Sequence, residues 1–220
     1  MKSKIIIRIG LIFSIFFIVL FANAQDPLRF KNEINQFGQI EVNTSDRDNI
    51  VVFTGSSSVR MWKDVQSYFP GIIVINTGFG GSHMSDLLYF SEETILRFNP
   101  KKVFIYEGDN DIASEKSSEE ILKTTKQLVN KIISKLPDLE IILISPKPSL
   151  ARWKLKNEYV ELNKKLEAYC KESNLEFANV WDIMLNDSNT PIKEIFIEDG
   201  LHMNKKGYDL WFNVLKDYFD

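Results

Sequence analysis

The stretch "VVFTGSSSVRMW", residues 51–62, joins a pattern typical of a buried strand to the start of a helix. Its first residues are apolar and mostly β-branched or aromatic, and Gly55 then precedes three consecutive serines. A strand that ends in glycine and small hydroxyl residues before a helix has three common explanations. They are a helix cap, an anion-binding loop and a turn that exposes a nucleophilic serine.

Four further apolar runs follow the same pattern along the chain. None shows strict alternation of apolar and polar residues, as is typical of parallel strands covered on both faces. Helical patterns alternate with the runs, which predicts an α/β fold, a three-layer α/β/α sandwich around a mostly parallel sheet of about five strands. The predicted strands are residues 50–54, 72–76, 103–107, 141–145 and 177–180.

The clearest predicted helix covers residues 119–136. Its apolar side chains form one stripe behind a capping box made by Ser117 and Glu120. The other predicted helices are residues 28–40, 58–69, 84–97, 155–173 and 205–219.

Residues 1–24 are interpreted as a secretory signal peptide, and residues 25–220 as a single domain. Three basic side chains, Lys2, Lys4 and Arg8, precede the apolar run. This run covers residues 9–21 and ends in the small-residue pattern "ANAQ", which predicts cleavage after Ala24. The run is short for a membrane span of roughly 20 apolar residues, so we expect export without a stable membrane anchor, to the periplasm or beyond.

Charge and cysteine content exclude several classes of protein. Without the three basic residues of the signal, 27 basic residues become 24 against 30 acidic ones, a net charge near −6. Nucleic-acid binding depends on clustered Lys and Arg, so no nucleic-acid partner is expected. The single Cys170 lies on the apolar stripe of a predicted helix and is interpreted as a buried thiol. A metal site would need ligands beyond His83 and His202, so none is predicted.

Polar clusters stand where ligands bind in such folds, just after the strands. They are "GSSS" at 55–58, "NTGFGGSHMSDL" at 76–87, "EGDNDI" at 107–112 and "EDGLHMNKKGY" at 198–208, the last of which precedes the final helix. Taken singly, each has an ordinary explanation as a helix cap or a turn.

Together the clusters contain every group that acyl transfer requires. A serine hydroxyl needs an adjacent base, and the base needs an orienting carboxylate. Asp199 stands three residues before His202 and can reach its Nδ1, which leaves Nε2 free to take a serine proton. A glycine amide and the Asn110 side chain are candidate donors to the oxyanion.

The chain order Ser, Gly, Asn, His resembles that of the SGNH hydrolases, also called the GDSL-like lipase/acylhydrolase family. The resemblance extends from about residue 50 to 219 and implies a flavodoxin-like sandwich and ester hydrolysis without a metal or other cofactor. By position, it implies that Ser57 is the nucleophile and that Asp199 and His202 complete a triad. It also implies that Gly81, with Gly80 as the neighbouring alternative, and Asn110 form the oxyanion hole.

Several residues depart from the family pattern or stay open. Ser56 replaces the Asp of the Gly-Asp-Ser block, and Ser82 stands where many members have Asp. The segment "SPKPSLARW", residues 145–153, resembles one secreted bacterial branch, and its Arg152 and Trp153 either shape a substrate pocket or begin a helix. His83 is the rival base, but His202 is favoured.

The resemblance and the predicted export favour a secreted serine esterase that removes short acyl groups, acetyl above all, from a small molecule or a glycan. We expect its activity to fall as the pH drops through roughly 6 to 7, because a protonated imidazole cannot accept the serine proton. Two other classes stay open. The "TGSSS" loop also fits a flavodoxin-like FMN-binding electron carrier, and a non-catalytic glycan-binding module would bind without turnover. The oligomeric state has no signal in the sequence.

Overall fold

The computed structural model describes residues 26–219, so the predicted signal peptide lies outside the described residues. The strands are β1 Ile50–Gly55, β2 Ile73–Gly78, β3 Lys102–Tyr106, β4 Glu140–Ile144 and β5 Glu176–Ala178. They form one parallel sheet in the order β2-β1-β3-β4-β5. The predicted α/β/α sandwich is confirmed, and this strand order is that of the flavodoxin-like folds. In residues 26–219, no helix combines the length and apolarity needed to cross a membrane.

The helices lie on both faces of the sheet. They are α1 Lys31–Phe37, α2 Ser57–Arg60, α3 Val65–Tyr68, α4 Met84–Tyr89, α5 Ser91–Thr94, α6 Asp109–Ala113, α7 Ser118–Lys135, α8 Lys156–Ser173 and α9 Lys205–Leu215. Short 3-10 turns are Pro27–Phe30, Thr44–Asn49, Leu96–Phe98, Trp153–Leu155, Asp182–Met184, Lys193–Ile195 and Lys216–Tyr218. The predicted capping box is present, since Ser117 and Glu120 bond each other's backbone N–H groups at the start of α7.

The two faces of the sheet carry separate apolar cores. Ile50 and Val52 of β1 point into a core shared with α1, α4, α7 and α8. Val51 and Phe53 point to the opposite core, which includes side chains of α2, α3 and α9. Successive residues of a strand face opposite sides, so a strand buried on both sides must be apolar throughout. This explains why residues 50–53 are an uninterrupted apolar run.

The predicted helix over residues 58–69 is wrong as a single element, since α2 ends at Arg60 and α3 begins at Val65. In a continuous α-helix the carbonyl of Val59 would pair with the N–H four residues later. Here the Asn76 side-chain amide donates to the carbonyls of Val59, at 2.7 Å, and Trp62, at 3.1 Å. A side chain of β2 therefore bonds carbonyls that a continuous helix would pair with its own N–H groups.

The predicted helix over residues 84–97 is also divided, into α4, α5 and a 3-10 turn. The backbone leaves helical geometry at Phe90 and Ile95. Two hydroxyls bond to nearby carbonyls there, Ser91 to Leu88 at 3.0 Å and Thr94 to Phe90 at 2.8 Å. Such local side-chain bonds compete with regular helical pairing.

Cys170, on α8, is buried in the core that α8 shares with α7, as predicted. Burial raises the pKa of its thiol to about 12. A thiol that does not ionise near neutral pH is a poor nucleophile.

Candidate active site

Ser57 stands two residues after the end of β1, next to the point where the strand order reverses between β1 and β3. Gly55 has φ +132°, and a Cβ there would lie 1.9 Å from the carbonyl oxygen of Tyr106, so the turn accepts glycine alone. Ser56 and Ser58 are buried, whereas Ser57 is half-buried and begins α2. The N–H groups of a first helical turn have no partner within the helix, which leaves that of Ser57 available to a ligand.

A chain of hydrogen bonds joins Ser57, His202 and Asp199. Ser57 Oγ lies 2.8 Å from Nε2 of His202, and Nδ1 of the same ring lies 2.5 Å from Oδ2 of Asp199. The carboxylate accepts but cannot donate, so Nδ1 carries the hydrogen and Nε2 is left as the acceptor for the Ser57 hydroxyl. This geometry lets the serine proton pass to the imidazole.

The loop around Asp199 fixes the carboxylate in place. Its Oδ1 accepts hydrogen bonds from the backbone N–H groups of Leu201, at 2.8 Å, and His202, at 2.9 Å. Desolvation alone would raise the pKa of Asp199, but the bonds from His202 and the two backbone donors lower it to about 2. The group therefore stays ionised throughout the range in which a histidine changes charge.

Asn110 contacts the loop that carries Gly81, and the two residues follow the strands that flank β1 in the sheet. Gly81 is exposed with φ +82°, and a Cβ built on it meets no atom within 4 Å, so its backbone borders open space. The amide of the neighbouring Gly80 points instead to Glu33, at 3.4 Å, which favours Gly81 as the donor. Nδ2 of Asn110 donates to the Ser82 carbonyl at 2.9 Å. The predicted oxyanion donors thus follow β2 and β3, on either side of Ser57.

A sequence model of the GDSL-like Lipase/Acylhydrolase family matches residues 48–210.

The chain belongs to this family.

Family membership supports a hydrolase that acts on esters.

Solved structures with the same fold include members of this family. A GDSL-like lipase from Bacteroides thetaiotaomicron has a TM-score of 0.73 at 21% identity, over 88% of this chain and 98% of that one. A catalytic mutant of an acetylxylan esterase from Geobacillus stearothermophilus has a TM-score of 0.64 at 16% identity, over 77% of this chain and 93% of that one.

Among curated proteins, a relative is the N-acylneuraminate cytidylyltransferase of Escherichia coli O18:K1:H7. The two sequences are 29% identical over 191 residues, which is 84% of this chain and 43% of that protein. The chain therefore spans less than half the length of this relative.

The other candidate residues of this GDSL-like chain make contacts of their own. Arg152 contacts Asp109 and Asn110 with its guanidinium, and the half-buried Trp153 stacks on Trp181 at 6.0 Å between ring centroids. His83 is the N-cap residue of α4, and its ring neighbours are Ser114, at 3.4 Å, and Asp111, at 3.8 Å. His202 is the histidine that contacts Ser57. Burial lowers the pKa of His83, against the opposing effect of Asp111.

Ser82, one of the two departures from the family pattern, supports the loop that carries Gly81. Its Oγ lies 3.0 Å from the Phe79 carbonyl and 2.5 Å from Oε1 of the buried Glu107. A hydroxyl has one hydrogen, so both contacts are satisfied when Glu107 is protonated and donates to Ser82. Desolvation raises the pKa of Glu107 well above its ordinary value, and the charge of Asp111 raises it further. Glu107 is not among the predicted site residues, although a carboxyl directly after an apolar strand is a recognisable signal.

Glu107→Gln should be at least as stable as the wild type near neutral pH, with a difference that grows as the pH rises. Above about pH 4.5 the unfolded state loses the Glu107 proton while the native state keeps it. Until the raised native pKa is reached, this group lowers the free energy of unfolding by about 1.4 kcal/mol per pH unit. A glutamine cannot ionise and lacks this slope. Urea unfolding at pH 5, 6, 7 and 8 measures the difference.

The exposed Glu172, on α8, supplies the control for Glu107→Gln. Glu172→Gln should follow the wild type at each pH. A Glu107→Gln difference that does not change with pH would contradict a neutral Glu107.

Asn110→Ala is expected to lower kcat for p-nitrophenyl acetate by about 10²- to 10³-fold, because one preorganised donor to the oxyanion is lost. KM should change little, since the bond forms chiefly in the transition state. Steady-state kinetics measures both, and Asn157→Ala, at an exposed position of α8, is the control. A kcat within threefold of the wild type would rule out this role.

No group of three or more His, Cys, Asp or Glu side chains placed to hold a metal ion occurs within residues 26–219.

Proposed function

We propose that the protein is an exported serine esterase that hydrolyses short acyl esters, with acetyl groups on carbohydrates as the leading substrate class. The observation that carries the proposal is the 2.8 Å contact between Ser57 Oγ and His202 Nε2, which lies within hydrogen-bonding reach for general-base activation. Family membership supports ester hydrolysis as the reaction type. Export rests on the signal-peptide pattern of residues 1–24.

In the first half of the reaction, Ser57 Oγ attacks the ester carbonyl carbon while its proton moves to Nε2 of His202. The carbonyl oxygen becomes an oxyanion, and the candidate donors are the N–H groups of Ser57 and Gly81 and the Asn110 side-chain amide. Asp199 stabilises the imidazolium through its bond to Nδ1. His202 then gives its proton to the alcohol oxygen as the carbon–oxygen bond breaks, which leaves an acyl group on Ser57.

In the second half, water replaces the alcohol. His202 accepts a proton from the water, whose oxygen attacks the acyl carbon, and the same donors hold the new oxyanion. Collapse of this intermediate releases the acid and returns the proton to Ser57 Oγ. The cycle restores the starting protonation of the imidazole and needs no cofactor.

The short connections that follow the two strands flanking β1 favour small acyl groups. Residues 79–83 join β2 to α4, and residues 107–108 join β3 to α6. Neither is long enough to fold over the site as a lid and form a deep acyl channel. The likeness to an acetylxylan esterase points to acetylated carbohydrate as the first substrate to test.

A series of p-nitrophenyl esters from acetate to laurate tests the substrate proposal. We expect kcat/KM to be highest for acetate or propionate and to fall at least tenfold by octanoate, because each added methylene lacks a pocket to enter. Acetate release from acetylated xylo-oligosaccharides should be measured beside it, with Ser57→Ala as the blank. A maximum at octanoate or longer would overturn the short-acyl proposal.

The two other classes predict different results. An FMN carrier would purify with flavin absorbance, and this hypothesis gives no role to the bond between His202 and Asp199. A glycan-binding module would bind acetylated oligosaccharides without releasing acetate. A colourless protein with turnover that Ser57→Ala abolishes supports the esterase against both.

A further inference from the structure

Asp109 is a buried carboxylate at the centre of a polar cluster behind Asn110. Arg152 and Tyr159 both bond its Oδ1, and the Tyr106 hydroxyl donates to its Oδ2 at 2.9 Å. The fully buried Lys147 lies 4.0 Å from the same oxygen. Burial alone would raise the pKa of Asp109, but the charges of Lys147 and Arg152 lower it. Asp109 is therefore an ionised anchor for the two cations.

The guanidinium of Arg152 extends from this anchor to Asn110. Its Nη1 donates to the carboxylate and the carbonyl of Asp109, and its Nη2 donates to Oδ1 of Asn110 at 3.0 Å. A guanidinium has donors alone, so the group it meets on Asn110 must be the oxygen. The amide nitrogen is thereby turned toward the Ser82 carbonyl, 2.9 Å away, beside Gly81. One hydrogen of this NH₂ group forms the bond to Ser82, and the second can donate a hydrogen bond to an oxyanion.

Residues 145–153, the segment that contains Lys147 and Arg152, also contact the loop between Asp199 and His202. Nζ of Lys147 donates to the Leu201 carbonyl at 2.6 Å, and the N–H of Ala151 donates to the Gly200 carbonyl at 3.1 Å. Gly200 and Leu201 lie between Asp199 and His202. Residues 145–153 thus contact both the candidate oxyanion donor and the loop of the candidate base.

We propose that Arg152 is a positioning residue of the esterase, which fixes the orientation of the Asn110 amide so that Nδ2 donates to the oxyanion. The inference rests on the proposed function. It differs from a substrate-binding role for Arg152, because its side chain is 19% exposed and two of its nitrogens are bonded to Asp109 and Asn110. Without the guanidinium, the amide of Asn110 is free to rotate or flip, and the donor is in place for a fraction of the time.

Two substitutions test the role of Arg152. Arg152→Met removes the donors at similar length, and Arg152→Lys keeps a charge beside Asp109 but cannot bond two groups in fork geometry. Both should lower kcat for p-nitrophenyl acetate about 10- to 100-fold and leave KM within threefold. The exposed Lys154, two residues along the segment, supplies the control Lys154→Met, which should match the wild type. Arg152→Lys keeps the test valid if the loss of positive charge beside Asp109 prevents Arg152→Met from folding.

Combining Arg152→Lys with Asn110→Ala separates positioning from a general structural effect. If Arg152 acts through Asn110, the double variant should have a kcat within threefold of Asn110→Ala alone. Multiplied losses would overturn the proposal, as would a raised KM with unchanged kcat, which signals substrate binding. Failure of the proposed function is distinct, since it would appear as wild-type turnover that Ser57→Ala does not change.

Discussion

Ser57→Ala is expected to lower kcat for p-nitrophenyl acetate by about 10⁶-fold, close to the background rate. The variant loses the hydroxyl that lies 2.8 Å from His202 Nε2, so an acyl-enzyme cannot form. Removing one oxygen from a half-buried side chain at the start of a helix should leave the fold intact. Release of p-nitrophenolate measures kcat, and the melting temperature checks folding.

The neighbouring serines supply matched controls. Ser56 and Ser58 flank Ser57 and are both buried, and the contact with His202 is made by Ser57. Ser56→Ala and Ser58→Ala should each keep kcat within tenfold of the wild type. Wild-type turnover in Ser57→Ala would show that Ser57 is not the nucleophile. So would a loss of turnover in Ser56→Ala or Ser58→Ala alone.

Asp199→Asn is expected to lower kcat by about 10⁴-fold with little change in structure. Oδ1 of Asp199 accepts two backbone N–H groups, so an asparagine oxygen would keep that position. Its NH₂ group would then face His202 Nδ1, and Nδ1 must accept a hydrogen bond from it. The hydrogen of the neutral imidazole is then on Nε2. A protonated Nε2 cannot take the Ser57 proton.

Kinetics at pH 8 should show this loss, because the pKa of Asp199 is about 2 and the wild-type carboxylate is ionised there. Asp182→Asn, an Asp at the start of a 3-10 turn away from this loop, is the control. A variant within tenfold of the wild type would remove Asp199 from the mechanism.

Much of this arrangement could be predicted because it follows from local patterns. Apolar runs identify strands that are covered on both faces, and parallel strands bring their carboxyl ends to one edge of the sheet. The residues after β1 and β3, and the loop that precedes α9, therefore converge whatever the details of the helices between them. This is why the serine cluster, Asn110 and His202 could be selected from the sequence, whereas the choice of Ser57 among the three serines came from the family resemblance.

The supporting contacts could not be predicted, because they depend on side chains that meet across the fold. Asn76 divides a predicted helix by bonding carbonyls of another segment. Nothing in the sequence pairs Lys147 or Arg152 with Asp109, yet both converge on this buried carboxylate. A periodic pattern identifies which face of an element is apolar, but it does not identify the partner of a single buried charge.

Labelling with a fluorophosphonate most directly tests the central claim, that His202 activates Ser57 as a nucleophile. The wild type should gain the mass of one label, and fragmentation of the tryptic peptide of residues 48–60 should place it on Ser57. Ser57→Ala and His202→Ala should stay unlabelled, while Ser56→Ala and Ser58→Ala react like the wild type. A label on another residue, or full labelling of Ser57→Ala, would contradict the account.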